Sequence, residues 1–284
     1  MLGAWPREPA ITLALLTSGA LYVGADRRFR IERGGHGFPR GRRLAFLGGL
    51  VAIFAALESP IDSAVLTSFS MHMVQHLLLT MVAAPLLVCG APVTLALASL
   101  PAETRRPLVS LLHSPPLRIV SSPVVSWGLL FVVLWGSHFS GLYEAALRNP
   151  GLHAGEHLLY LGAAVLFWMP VVGRDAAPSR LSHPGRILYL FLAMPGTAFL
   201  GLTIYSADHV LYPAYAVARG VGPALADQRM AGALMWTSGM FMIVPALALV
   251  LLDWMRADER EARRIDERLA RAERTRAPLT GVGG

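Results

Sequence analysis

Long apolar runs alternate with short polar connections along the chain, at about residues 8–24, 43–60, 69–90, 123–140, 153–172, 186–206 and 230–252. The hydrocarbon core of a bilayer is about 30 Å thick and a helix rises about 1.5 Å per residue, so roughly 20 apolar residues make one crossing. The pattern predicts an all-α fold, a polytopic membrane bundle of seven transmembrane helices over residues 1–255. Residues 256–284 form a charged tail in which both signs surround sparse apolar positions, the pattern of a solvated helix continuing from the seventh span. Residues 91–122 are dense in proline and carry short apolar runs, which reads as a loop with one interfacial helix. The first run follows Arg7 and no A-x-A pattern comes after it, so it reads as a retained span.

Charge gives this bundle a direction. The connection after the first run holds Arg27, Arg28, Arg30, Arg33, Arg40, Arg42 and Arg43, and the one after the third holds Arg105, Arg106 and Arg118. Arg174, Arg180 and Arg186 follow the fifth, and eight arginines follow the seventh. The connections between these contribute only Arg148, Arg219 and Arg229. Arginine-rich connections stay in the cytoplasm, so the amino terminus is expected outside and the carboxyl terminus in the cytoplasm.

Composition agrees: 54% of residues are hydrophobic, 15% are charged and the mean hydropathy is +0.51, too apolar for an ordinary soluble domain. The net charge of +7 lies in the short arginine clusters without interleaved aromatics. It orients the chain among membrane lipids and implies no nucleic-acid partner. The absence of lysine excludes a retinal Schiff base. Cys89 is the single cysteine, which excludes an intramolecular disulfide and a thiolate metal cluster.

The expected orientation sorts the histidines. His72 and His76 enter the third span from outside on one helical face with Gln75, because residues three and four apart are neighbours. His138 ends the fourth span on the same side. The fifth opens with HAGEH, placing His153, Glu156 and His157 on one face, and His209 follows the sixth beside Asp208. Six of the nine histidines thus share one depth, joined by Met71, Met73, Asp62, Glu144 and Asp227. His36, His113 and His183 fall in the basic connections and read as solvated.

Ionisable groups in a span are costly and generally serve a site. Two H-x-x-x-H pairs at one depth point to a metal or haem centre, with a structural polar network as the alternative. Imidazole suits copper, zinc and haem iron, while thioether selects reduced copper. Copper is favoured by Met71 and Met73 flanking His72, and by a site opening to the oxidising side. HAGEH also fits the order of a zinc hydrolase with Glu156 as base, or Glu156 orients an imidazole. The tryptophans Trp127, Trp135, Trp168, Trp236 and Trp254 read as an aromatic belt. Pro85 and Pro195 interrupt spans, while Gly48, Gly49, Gly196 and Gly201 offer small surfaces for helix contact.

The chain resembles the CtaG-type cytochrome c oxidase assembly factors associated with caa3 oxidases. The resemblance rests on HMVQHLLLTMVAAPLLVCGAP, on His138 with Tyr143 and EAAL, and on His153, Glu156, His157 and Phe167-Trp168. It continues through Asp208, Leu211, Tyr212 and Tyr215 to Asp227-Gln228, Gly232, Met235 and Trp236, covering about residues 58–240. Ser140 departs from the family pattern, which has proline there. The unrelated single-span copper chaperones that share the name carry a cysteine pair, and this chain does not. Some relatives carry a second, fused membrane domain, and these 284 residues are expected to hold only the one.

The resemblance implies a non-enzymatic, multi-pass protein of the bacterial plasma membrane that supplies copper to an oxidase subunit. The expected metal ligands are His72, His76, His138, His153, His157 and His209, with Met71, Met73, Gln75, Glu156, Asp208 and Asp227 as additional or supporting groups. The other readings are a metal-free scaffold for oxidase assembly, a b-type haem protein with axial histidines from the third and fifth spans, and an intramembrane zinc hydrolase.

Overall fold

A computed structural model of the chain describes residues 8–32, 34, 37–172 and 181–276, and every regular element among them is helical. Arg7, Arg33, His36, Arg174 and Arg180 of the sequence reading lie outside the described residues.

The first two helices, α1 (Pro9–Glu32) and α2 (Arg40–Leu57), are joined at one end through Asp26. This buried carboxylate accepts hydrogen bonds from the Phe38 amide at 3.0 Å, Arg30 at 3.3 Å and Arg43 at 3.2 Å. At its other end α2 leads into a single turn, α3 (Pro60–Ala64), which starts where the Ser59 hydroxyl accepts from the Ile61 amide.

The third apolar run is one helical path with an irregular middle. A regular α4 (Phe69–Leu77) widens into a π segment over Leu78–Ala83 and tightens again into α5 (Ala84–Cys89). Pro85 has no N–H to give to the preceding turn, and a wider turn relieves the clash of its ring. The Thr80 carbonyl receives its hydrogen bond from the indole N–H of Trp168 instead, at 2.9 Å. That contact corrects the belt reading for Trp168, which is 2% exposed and belongs to the core.

Residues 91–122 hold three short helices where one was expected: α6 (Pro92–Ser99), α7 (Ala102–Leu112) and α8 (Pro115–Val120). Prolines at the starts of α6 and α8 leave each break while seeding the next turn, since proline suits the first helical position. Leu95 of α6 is buried with Tyr22 and Phe46, so α6 belongs to the bundle.

The remainder is α9 (Pro123–Phe139), the turn α10 (Leu142–Ala146), α11 (Pro150–Val172), α12 (His183–Ser206), the short α13 (Pro213–Arg219) and α14 (Val221–Arg276). Gly141 stops α9 with φ of 76°, a conformation that glycine adopts without strain. The last helix passes residues 255 and 256 without a break, carrying the charged tail with it.

Among the described residues, six stretches are long and apolar enough to cross a membrane: Pro9–Glu32, Arg40–Ala64, Phe69–Ser99, Pro150–Val172, His183–Ser206 and Val221–Ala272. The chain is a multi-pass membrane protein. The expected fourth span is the shorter apolar helix α9, with 17 residues.

Small residues set the tightest crossing. A Cβ on Gly201 of α12 would collide with the backbone of Gly232 and Trp236 on α14, and one on Gly232 would collide with Gly201 and Tyr205. Glycine at both positions lets the two backbones touch. Gly49 packs likewise against Leu87 and Gly196 against Phe131.

Candidate metal centre

The site is built where α4 and α11 begin. Asp227 on α14 caps α4: its carboxylate accepts from the Phe69 amide at 2.6 Å, the Ser70 hydroxyl at 2.5 Å and the Ser68 hydroxyl at 3.2 Å. Such a cap satisfies amides that the first turn leaves unpaired, and its charge suits the helix amino end. Asp227 therefore positions the helix that carries His72 and His76, and its oxygens are used in doing so.

From α4, His72 and His76 face α11, with their Nε2 atoms 3.1 Å apart. From α11, His153 brings its Nε2 to 3.3 Å from that of His72, and a Glu156 carboxylate oxygen lies 3.9 Å from the same atom. Among the described residues, two sets of three possible ligand atoms, from His72, His153 and His157 and from His72, His76 and Glu156, each lie within 4.8 Å of one another. Nitrogens bound at about 2.0–2.1 Å to one tetrahedral ion stand about 3.3 Å apart, close to the spacing seen here.

Both oxygens of Glu156 are buried without a hydrogen-bond partner. A buried carboxylate left bare is costly and calls for a cation or a proton. This differs from the expectation of Glu156 as an acceptor that orients a ring, because no imidazole N–H reaches it within hydrogen-bond distance. The donor set of imidazoles and one carboxylate fits a single divalent or monovalent metal ion.

Other side chains hold these rings in place. Nδ1 of His72 lies 3.2 Å from the Tyr215 hydroxyl, itself 3.0 Å from that of Tyr143. Burial raises the pKa of both phenols, so both keep their protons. His157 donates from Nε2 to Gln75 Oε1 at 3.0 Å, while the Gln75 amide donates to Asp62 at 2.7 Å and to the Ala56 carbonyl at 3.0 Å. That chain fixes the tautomer of His157 and leaves Nδ1 with its lone pair.

Other expected residues lie apart from this cluster. His138 donates from Nδ1 to the Leu134 carbonyl at 2.7 Å and stacks on Tyr143, with Nε2 unpartnered. Asp208 and His209 pair with each other at 2.8 Å on the exposed surface, and the hydrogen bond from His209 lowers the Asp208 pKa. Met71 is exposed, while Met73 is buried with Phe69 and Tyr143. Glu144 pairs with Arg148 at 2.7 Å and accepts from the Ala214 amide.

Residues 20–257 match the family model of the cytochrome c oxidase caa3 assembly factor, Caa3_CtaG. The chain belongs to this family. Uncharacterised proteins of Mycobacterium bovis and Mycobacterium tuberculosis are each 30% identical to it over 246 residues, covering 83% of this chain and 37% of theirs. An uncharacterised protein of Mycobacterium leprae is 30% identical over 274 residues, covering 92% of this chain and 41% of its own. The chain thus spans about two fifths of the length of these relatives. No solved structure matches it.

In this member of the family the supporting tyrosines were the part missed by site reasoning from sequence. Tyr160 had a signal, lying three and four residues beyond His157 and Glu156 on the same helical face. Its ring stacks on His76 at 4.2 Å. Tyr143 and Tyr215 sit in short helices between spans, where periodicity carries no information.

Proposed function

We propose that this assembly factor holds a copper ion at the outer end of its bundle and supplies it to cytochrome c oxidase during assembly, catalysing no reaction itself. His72, His76, His153 and His157 would bind the ion, and Glu156 would supply a negative charge beside it. The observation that carries the reading is the convergence of imidazole nitrogens at 3.1–3.3 Å, those of His72 and His76 buried and that of His153 half-buried, around a carboxylate that no donor satisfies. A structural polar network would leave no such carboxylate bare. Axial imidazoles of a haem stand on opposite faces of the macrocycle, and 3.3 Å between His72 and His153 leaves no space for one, which favours an ion. Copper is preferred over zinc because the family serves an oxidase and the site opens to the oxidising side.

The outward assignment rests on the arginine alternation, with α9 as the seventh crossing and the bacterial plasma membrane as the location. Reporter fusions after Arg118 and after Asn149 flank α9 and should report opposite sides. A common location would remove both the seventh crossing and the orientation.

Replacing His76 or His157 by Ala should remove most bound copper from the purified protein and most oxidase activity from cells. His113→Ala, on the exposed end of α7, should do neither. Full copper and full oxidase in the His76 and His157 variants would leave the cluster a structural one and the protein a metal-free scaffold.

A further inference from the structure

A cavity of about 30 Å³ lies beside the cluster, lined among others by Met73, His76, Met81, His138, Tyr160 and Met235. Two buried ring nitrogens of its lining residues have no hydrogen-bond partner, Nδ1 of His76 and Nε2 of His138. The His138 ring donates its one N–H, on Nδ1, to the Leu134 carbonyl, so its Nε2 is a bare lone pair. The cavity exceeds the roughly 10–15 Å³ that a water requires, but a buried water seeks two to four polar partners. Here the Thr80, Thr197 and Ser238 hydroxyls of the lining already donate to helix carbonyls and the surface turned to the cavity is almost wholly apolar, with thioethers brought from α4, the π segment and α14. Thioether combined with imidazole is the donor set that selects monovalent copper.

We infer that this cavity is a second copper station, binding Cu(I) through His138 Nε2 and the thioethers of Met73, Met81 and Met235, with His76 shared between cavity and cluster. The inference deepens the copper reading above and rests on it. A neutral imidazole offers one lone-pair nitrogen at a time, so His76 serves the cluster through Nε2 or the cavity through Nδ1. The two places are therefore coupled through one ring, and an ion in one takes that ring from the other. The cluster, with its carboxylate, suits a harder divalent ion, while the cavity suits the reduced one.

The test uses the purified full-length protein, loaded without oxygen with Cu(I) or separately with Zn(II), and X-ray absorption to identify the scattering atoms. Cu(I) should show sulfur together with imidazole, and Zn(II) only nitrogen and oxygen. The combined substitution Met73→Leu, Met81→Leu and Met235→Leu keeps side-chain volume and should remove the sulfur signal. His138→Gln should weaken Cu(I) binding by about tenfold or more while Zn(II) binding changes by less than about twofold. A Cu(I) spectrum without sulfur, or an unchanged spectrum and affinity in the triple variant, would overturn the cavity site and leave the cluster standing. Failure of the unaltered protein to bind either metal would overturn both.

Discussion

Asp26 and Glu156 are equally buried, each 1% exposed. Around Asp26 the chain supplies an amide and two guanidinium groups, and the carboxylate serves as a joint between α1 and α2. Around Glu156 it supplies histidines whose nitrogens point at one another and no donor for either oxygen. A satisfied buried charge holds elements together, whereas an unsatisfied one waits for something that is not protein. The difference separates architecture from site more sharply than burial does.

That distinction predicts opposite behaviour for two conservative substitutions. Glu156→Gln should weaken metal binding by about ten- to a hundredfold while the melting temperature holds or rises, because no hydrogen bond of the metal-free fold is lost with this carboxyl. Asp26→Asn should leave metal binding unchanged and cost about 1–3 kcal/mol of stability through the lost charged acceptor. Metal titration and thermal unfolding of the two variants check this, and parallel effects in both would erase the contrast.

Much of the bundle was legible because membrane burial writes a coarse pattern: long apolar runs, and histidines at four-residue spacing where they share a helical face. The pairs His72 with His76 and His153 with His157 followed from that spacing alone. Asp227 did not, since its capping of α4 joins residues 158 positions apart through a side chain that could equally have been a ligand. Three helices in residues 91–122 were read as one because proline marks breaks without saying what lies between them. Asp208 and His209 were read together with the cluster and instead pair with each other on the exposed surface, since a connection carries no facing information.

A smaller effect tests the supporting chain. Gln75→Leu removes the acceptor that fixes His157, so metal affinity should fall by about tenfold while the ion keeps the same scattering atoms. A change in ligand type would mean that Gln75 is itself a ligand. Smallest of all is His209→Ala, which should alter neither metal affinity nor oxidase activity in cells, because its partner is an exposed neighbour. Loss of copper uptake there would move that pair from bystander to entry point.

The widened turn at Leu78–Ala83 has a consequence for how this chain tolerates change in length. Each residue of an ordinary helix advances the side chains by about 100°, and a π turn absorbs one residue more than an α turn. Deleting one residue there should let the path straighten into a regular helix at little cost to its backbone. The two halves would then keep their phase, with the face of His72 and His76 still towards α11 and α5 in its seat, because the wide turn had already absorbed the residue removed. One residue inserted between His76 and the wide turn, with nothing further to absorb it, should instead rotate the two halves by about 100° and yield a protein that inserts and folds but has lost its imidazole cluster. The wide turn acts as the phase setting between the part of the helix that packs and the part that binds.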